Sequence, residues 1–280
     1  MNDYSFQFNT EFFSSLISGI NNQIASLSEV QQQSALTDIL CCIDNTSLGN
    51  TDTEESIANF CENTLFMTHR DSHVASVCVY PGFVSVAKER LSPSGIRVAS
   101  VAGAFPSGQL PIELKLREIE YAISHGADEI DYVVNRGNIV SGKYDLLYNE
   151  IARAKAVCGQ QVLLKVILET GELPTPETVY VSSRIVLDAG ADFIKTSTGK
   201  ISVGATPESV YTMLSALKDF MSKSQRTVGF KAAGGISSIS DAMLYYFMTK
   251  KIMEKENLNY QIFRIGTSRL TVQVHKLLTK

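Results

Sequence analysis

From about residue 37 onward, short apolar, β-branched runs alternate with longer stretches of helical spacing. The runs that predict strands are Leu40–Asp44, Val74–Val79, Arg97–Val101, Glu129–Val133, Val162–Ile167, Phe193–Thr196, Thr227–Lys231 and Ile262–Ile265. Each is followed by roughly 15–20 residues with the periodicity of a packed helix, as in Ile112–His125 and Pro207–Lys223. Eight such units predict a single closed (β/α)₈ barrel, an α/β fold, over residues 37–280. An open doubly wound sheet is the alternative. It is weakened because no G-x-G-x-x-G sequence follows the first strand. Residues 1–36 stand apart, with Phe6, Phe8, Phe12, Phe13, Leu16 and Ile17 ahead of a polar Gln31-Gln32-Gln33 stretch. They predict a short helical N-terminal extension that either caps the barrel or joins a subunit interface.

An internal echo orients the barrel. His125-Gly126-Ala127-Asp128-Glu129-Ile130-Asp131 resembles Ala189-Gly190-Ala191-Asp192-Phe193-Ile194-Lys195, two strand-helix units later. In each copy a glycine suits the helix C-cap and a short loop enters a strand. Asp131 and Lys195 thus occupy equivalent positions on alternate strands. Alternate strands fill the same interior layer of such a barrel, so the carboxylate and the amine are expected to face each other.

Three lysines lie in apolar strands: Lys165, Lys195 and Lys231. A buried lysine costs desolvation energy, and burial lowers its pKa. A neutral amine can attack a carbonyl to form a Schiff base. For Lys195 the competing reading is a strand-end lysine that snorkels to solvent. The loop Thr196-Ser197-Thr198-Gly199-Lys200 favours a site, because functional loops of these barrels follow the strands. Gly234-Gly235 after the seventh strand and Gly266-Thr267-Ser268 after the eighth suit phosphate binding by backbone N–H groups. An ordinary glycine turn, or a serine N-cap, would also explain them. Asp131 reads either as a general acid/base or as the counterion of a buried lysine, and Asp44 ends its strand in the same way. Cys78 reads first as a core thiol.

The net charge of −4 and a pI near 5.6 give no basic face for nucleic acid. Five cysteines without a C-x-x-C pair suggest neither a disulfide framework nor a zinc site. None of the four histidines falls at a predicted strand end, so no metal or other cofactor is expected. No apolar run is long enough for a membrane span, and the first residues do not resemble a signal peptide. The expected location is the cytoplasm.

Several motifs in fixed order resemble the deoxyribose-phosphate aldolase family over roughly residues 38–275. They are Asp44-x-Thr46-x-Leu48, Val77-Cys78-Val79-Tyr80-Pro81, Glu129-Ile130-Asp131, Leu164 to Thr170, Phe193 to Gly199 and Gly229 to Ile236. The resemblance implies a class I aldolase that reversibly cleaves 2-deoxy-D-ribose 5-phosphate to D-glyceraldehyde 3-phosphate and acetaldehyde. It assigns Lys195 as the Schiff-base lysine, Asp131 as the proton-relay acid and Lys231 as the lysine that tunes the nucleophile. Lys200, Gly234, Gly235, Gly266, Thr267 and Ser268 resemble the phosphate-binding parts. Asp44, Cys78, Lys165 and Thr196 lie within the motifs and are carried as further substrate-binding candidates. The implied partners are small molecules, a sugar phosphate and acetaldehyde, with a homodimer or higher homo-oligomer as the expected assembly. Some members end in a tail with a terminal tyrosine, whereas the last six residues here run from His275 to Lys280 without one. A transaldolase-like enzyme and a non-catalytic sugar-phosphate-binding barrel are the competing functions.

Overall fold

A computed structural model describes residues 4–279; residues 1–3 and 280, the outermost positions of the expected extension and barrel, lie outside the described residues. Eight parallel strands close on themselves in sequence order. They are β1 (Ile43–Thr46), β2 (Ser76–Val79), β3 (Arg97–Ala102), β4 (Glu129–Val133), β5 (Leu163–Ile167), β6 (Phe193–Lys195), β7 (Gly229–Ala233) and β8 (Phe263–Thr267). The closed barrel, rather than the open sheet, is therefore the fold. Nearly every strand residue is buried, as expected when helices cover the outer face and side chains fill the interior.

The outer layer follows the predicted helical stretches. It contains α3 (Glu54–Phe66), α4 (Val84–Leu91), α5 (Ile112–Ser124), α6 (Arg136–Val140), α7 (Tyr144–Cys158), α8 (Pro176–Asp188), α9 (Pro207–Lys223), α10 (Ile239–Met253) and α11 (Leu270–Leu278). Helix α9 starts where its chemistry says it should. Thr206 caps it, Ser209 completes a reciprocal capping pair, and Pro207 occupies the first turn.

The strand edges differ from the sequence expectation where charge or spacing misleads. Leu40 and Cys41 close a helix, α2 (Glu29–Cys41), instead of opening β1. Leu36, Ile39 and Leu40 repeat at helical spacing, and a short apolar run does not separate helix from strand. β7 begins and ends two residues late, because Lys231 points into the barrel while Ala232 and Ala233 continue the pairing with β8. Gly266 and Thr267 belong to β8, paired with Asp44 and Asn45, rather than to the turn after it.

The N-terminal residues pack on the outside of the helix layer. Before α1 (Thr10–Ala25), Phe6 stacks on Tyr180 of α8 at 4.6 Å. Phe8 and Phe13 meet Tyr211 of α9 at 5.5 and 5.6 Å. Position 36 falls inside α2, whose Leu36, Ile39 and Leu40 are buried in the main core.

The echoed segments are one corner built twice. Gly126 and Gly190 adopt φ of 102° and 111° at the ends of α5 and α8, a conformation that costs glycine little. The aspartates that follow grip the neighbouring strand. Asp128 accepts from the Val98 N–H at 2.9 Å and from Lys88, and Asp192 accepts from the Leu164 N–H at 2.8 Å and from Lys155. These corners set the height at which Asp131 and Lys195 enter the barrel.

Candidate active site

Lys195 is the last residue of β6, and its amine donates to Asp131 Oδ2 at 2.7 Å. The pair predicted to face across the barrel is thus in direct contact. Lys231, opposite Lys195 in the β6–β7 register, donates to the same oxygen at 2.7 Å and also reaches Asp44. Lys165 donates to Asp131 Oδ1 at 2.6 Å and lies 2.7 Å from Glu129 and 3.5 Å from Asp44. Arg264 bonds Asp44 and, at 2.7 Å, Glu129. All these side chains are sealed from solvent except that of Lys195, which keeps about 5% of its surface exposed.

This network sets the protonation states. Burial pushes the Lys195 amine down, Asp131 pulls it up, and the Lys231 ammonium pushes it down again, leaving it below the usual lysine value. For Lys231 and Lys165, burial acts in the same direction but their carboxylate neighbours outweigh it, so both are held above it. Burial alone would raise Asp131, yet Lys165, Lys195 and Lys231 hold it well below the carboxylate range. Lys195 is therefore the lysine of the network poised to give up its proton. The Cys78 thiol lies 3.9 Å from Asp131. Burial and then that carboxylate push its pKa up to about 11, which keeps it a thiol.

Above Lys195, at the C-terminal end of the strands, a cavity of about 520 Å³ opens to solvent. Among the sequence candidates Lys195, Lys200, Gly234, Gly235, Gly266, Thr267 and Ser268 line it. Asp44, Cys78, Asp131, Lys165 and Lys231 lie beneath it in the barrel. Three of the candidates are committed to structure. The Thr196 hydroxyl accepts from Ala233 N–H and donates to Ala233 O, tying β6 to β7. The Thr267 hydroxyl donates to Ile236 O and accepts from the N–H groups of Arg269 and Leu270, so Thr267 performs the helix-start role that was the competing explanation for Ser268. Gly266 leaves room for the Lys231 side chain, since a Cβ there would come within 3.0 Å of Lys231 Cε. Ser268 is exposed at the cavity rim.

The loops after β6 and β7 pass in backbone contact. A Cβ on Gly204 would fall 2.2 Å from the Gly234 carbonyl oxygen, and one on Gly234 would fall 2.8 Å from the Gly204 Cα. Gly234 also has φ of 89°. Lys200 spans the mouth to donate to the Leu48 carbonyl at 2.5 Å. Another part of the barrel is apolar. Leu48, Cys78, Ala99 and Val101 cluster there with Tyr80 and Phe105, whose rings meet at 6.1 Å.

Sequence reasoning did not single out Glu129, Glu169, Arg264 or Arg269. Glu129 and Arg264 are strand residues of charged type, and the same desolvation argument used for the lysines applies to them. Glu169 is fully buried with φ of 57°. It accepts from the Ser197 hydroxyl at 2.5 Å and the Thr198 N–H at 3.1 Å, fixing the loop after Lys195. Arg269 adds a cation to the cavity wall.

A buried amine and carboxylate under an open cavity are parts suited to carbonyl chemistry, and comparisons with known proteins find aldolases. A human deoxyribose-phosphate aldolase is 40% identical over 247 residues, 84% of this chain and 77% of that protein. The bovine deoxyribose-phosphate aldolase is 39% identical over 258 residues, 88% of this chain and 81% of that protein. A deoxyribose phosphate aldolase structure from Aeropyrum pernix, described as tetrameric, matches with a TM-score of 0.68 and 27% identity, over 91% of this chain and 99% of that one. A Toxoplasma gondii structure shares the fold with a TM-score of 0.81 at 22% identity, over 89% and 96% of the two chains. The model of the DeoC/LacD family of aldolases matches residues 39–248, a span that holds Asp44, Asp131, Lys165, Lys195 and Lys231 together, and the chain belongs to that family.

Proposed function

We propose that this protein is a deoxyribose-phosphate aldolase that works through a Schiff base on Lys195. One observation carries the reading: the amine of Lys195 touches Asp131 and also lines the open cavity, while the other lysines of the cluster are sealed. The neutral Nζ attacks the aldehyde carbon of the open-chain sugar phosphate. The resulting carbinolamine loses water to give an iminium ion. The C2–C3 bond then breaks with its electrons drawn toward the iminium nitrogen, while the C3 hydroxyl loses its proton and becomes the carbonyl of the departing fragment. D-Glyceraldehyde 3-phosphate departs, and an enamine remains. Protonation of the enamine carbon and hydrolysis release acetaldehyde and regenerate Lys195. Asp131 is a carboxylate that accepts from Lys195 and Lys231 on one oxygen, so it is placed to pass protons between the amines, water and substrate.

Borohydride added with acetaldehyde or deoxyribose 5-phosphate is expected to fix covalent mass at Lys195 and nowhere else. Peptide mapping that finds the label on Lys165 or Lys231 would refute the assignment.

The glycine turn at Gly234-Gly235, the Ser268 rim, Lys200 and Arg269 surround the end of the cavity suited to a phosphate dianion. Ser268→Asp is expected to raise KM for the phosphorylated sugar about tenfold, equivalent to about 1.4 kcal/mol of charge repulsion. Unphosphorylated deoxyribose should be affected far less. Equal changes for both substrates would place the phosphate elsewhere.

The reading includes a role in breaking down deoxyribose phosphate in the cytosol. The five cysteines are all free, which suits a reducing compartment. No helix among the described residues is long and apolar enough to cross a membrane. The reading also includes a homo-oligomer. Leu110 and Leu146, each more than 40% exposed, border one surface cleft with Ile112, which suits a subunit contact. Sedimentation velocity giving a monomer at micromolar concentration would remove that part.

A further inference from the structure

The charges inside the barrel can be counted. Three carboxylates, Asp44, Glu129 and Asp131, are joined by direct ion pairs to Lys165, Lys195, Lys231 and Arg264. With Lys195 neutral, three negative charges meet three positive ones. With Lys195 protonated, one positive charge is left over in a region where unpaired charge is expensive. Lys195 is also the cation of this set that lines the cavity, so it can exchange its proton with water or substrate.

Arg264 and Glu129 lie in the first two residues of their strands, far below the cavity mouth. They form a forked pair, with Arg264 Nη2 at 2.7 Å and Nη1 at 3.2 Å from the two carboxylate oxygens. They connect to Lys195 through Asp44, Lys231 and Asp131, and through Lys165 and Asp131. We propose that the Arg264–Glu129 pair sets the charge state of Lys195 from the opposite end of the barrel, by completing the three-against-three balance. The two are positioning residues that act through the network and do not meet substrate. This inference rests on Lys195 being the Schiff-base nucleophile.

The charged and titratable groups around Lys195 are Asp131 and Glu129 on β4, Lys165 on β5, Lys231 on β7, Asp44 on β1, Arg264 on β8 and the Cys78 thiol on β2. Glu169 follows β5 and is bound by Ser197 and Thr198. Asp52, Lys200 and Arg269 stand at the wetter cavity wall. Arg97 touches Glu129 at 3.2 Å from the solvent side, where water screens it.

The balance predicts opposite signs for two neighbouring substitutions. Arg264→Met leaves three carboxylates against two fixed cations, so Lys195 should hold its proton more tightly. The limb of kcat/KM that rises with pH should move up by about one unit, a tenfold loss at a fixed pH on that limb. Glu129→Gln leaves two carboxylates against three fixed cations, and the limb should move down by a similar amount. The double variant restores balance at two against two, and its limb should return to the wild-type position. Arg264→Lys keeps the charge without the fork, so it should lower the melting temperature while leaving the limb in place. A merely structural pair would scale activity in every variant without moving the limbs. Single variants that shift in the same direction, or not at all, would overturn the proposal. If one single variant fails to fold by circular dichroism, the other decides by the direction of its limb, because a merely structural pair would leave that limb in place. Borohydride labelling runs alongside. Label on Lys195 with unmoved limbs rejects this inference alone, whereas no label on Lys195 rejects the aldolase mechanism beneath it.

Discussion

Lys231→Leu is expected to lose most of its activity at neutral pH and to recover part of it as the pH is raised. Lys231 shares an oxygen of Asp131 with Lys195. Removing its ammonium takes away a repulsion on Lys195 and leaves Asp131 freer to stabilise a protonated Lys195. Both changes raise the pKa of Lys195. The neutral fraction below that pKa falls tenfold per unit, so the rising limb of kcat/KM should move to higher pH by about one to two units. Burial is the larger cause of the depressed Lys195 value, and burial remains in the variant, so the recovery should come within the accessible alkaline range. Lys231→Arg keeps the charge with a different shape and should fall between the two. The measurement is kcat/KM against pH for the three proteins. A Lys231→Leu profile that is scaled down but not shifted would mean that Lys231 works by contact or proton transfer rather than by its field.

Asp131→Asn should fail in the opposite manner. It removes the carboxylate that three lysines share, so Lys195 loses the neighbour that favours its charged form. The amine should then be at least as available as before, and borohydride trapping should persist at neutral pH. The proton transfers should not. A loss of about 10²–10⁴-fold in kcat is expected at every pH, the usual scale for a general acid/base. Raising the pH should restore nothing. The cluster would also hold uncompensated positive charge, which costs about 3–5 kcal/mol when a buried pair is broken. A lower melting temperature should therefore accompany the loss. Recovery of Asp131→Asn activity at high pH would mean that hydroxide or another group can carry the proton, so Asp131 would not be the obligatory carrier.

The barrel was legible because short runs rich in apolar and β-branched residues alternate regularly with longer stretches of 3.6-residue repeat. The contact between Asp131 and Lys195 was legible from the repeated Gly-Ala-Asp corner, which counts strands without needing their positions. What the sequence hid had two causes. Pairing register is not local: nothing in Phe263-Arg264-Ile265 says that Arg264 turns inward to meet Asp44 and Glu129. Hydroxyl commitments are also non-local. Thr196 and Thr267 looked like substrate donors because they follow the right residues, but their hydroxyls are used in joining β6 to β7 and the β7 loop to α11. Glu169, two residues past the predicted strand Val162–Ile167, was hidden because its partners Ser197 and Thr198 lie in the loop after the next strand.

The crossing of Gly204 and Gly234 bears on how this catalyst can be redesigned. Neither position accepts a side chain, and the Ala205 N–H bonds both Ala233 O and Gly234 O across the same junction. The loops on that side are joined backbone to backbone, so enlarging or reshaping the cavity there would disturb both at once. Tyr80 and Phe105 have no such constraint. Their rings pack against the cluster of Leu48, Cys78, Ala99 and Val101 and meet each other edge to face. At Tyr80 and Phe105 volume can be removed a few atoms at a time while the Gly204–Gly234 crossing keeps its shape.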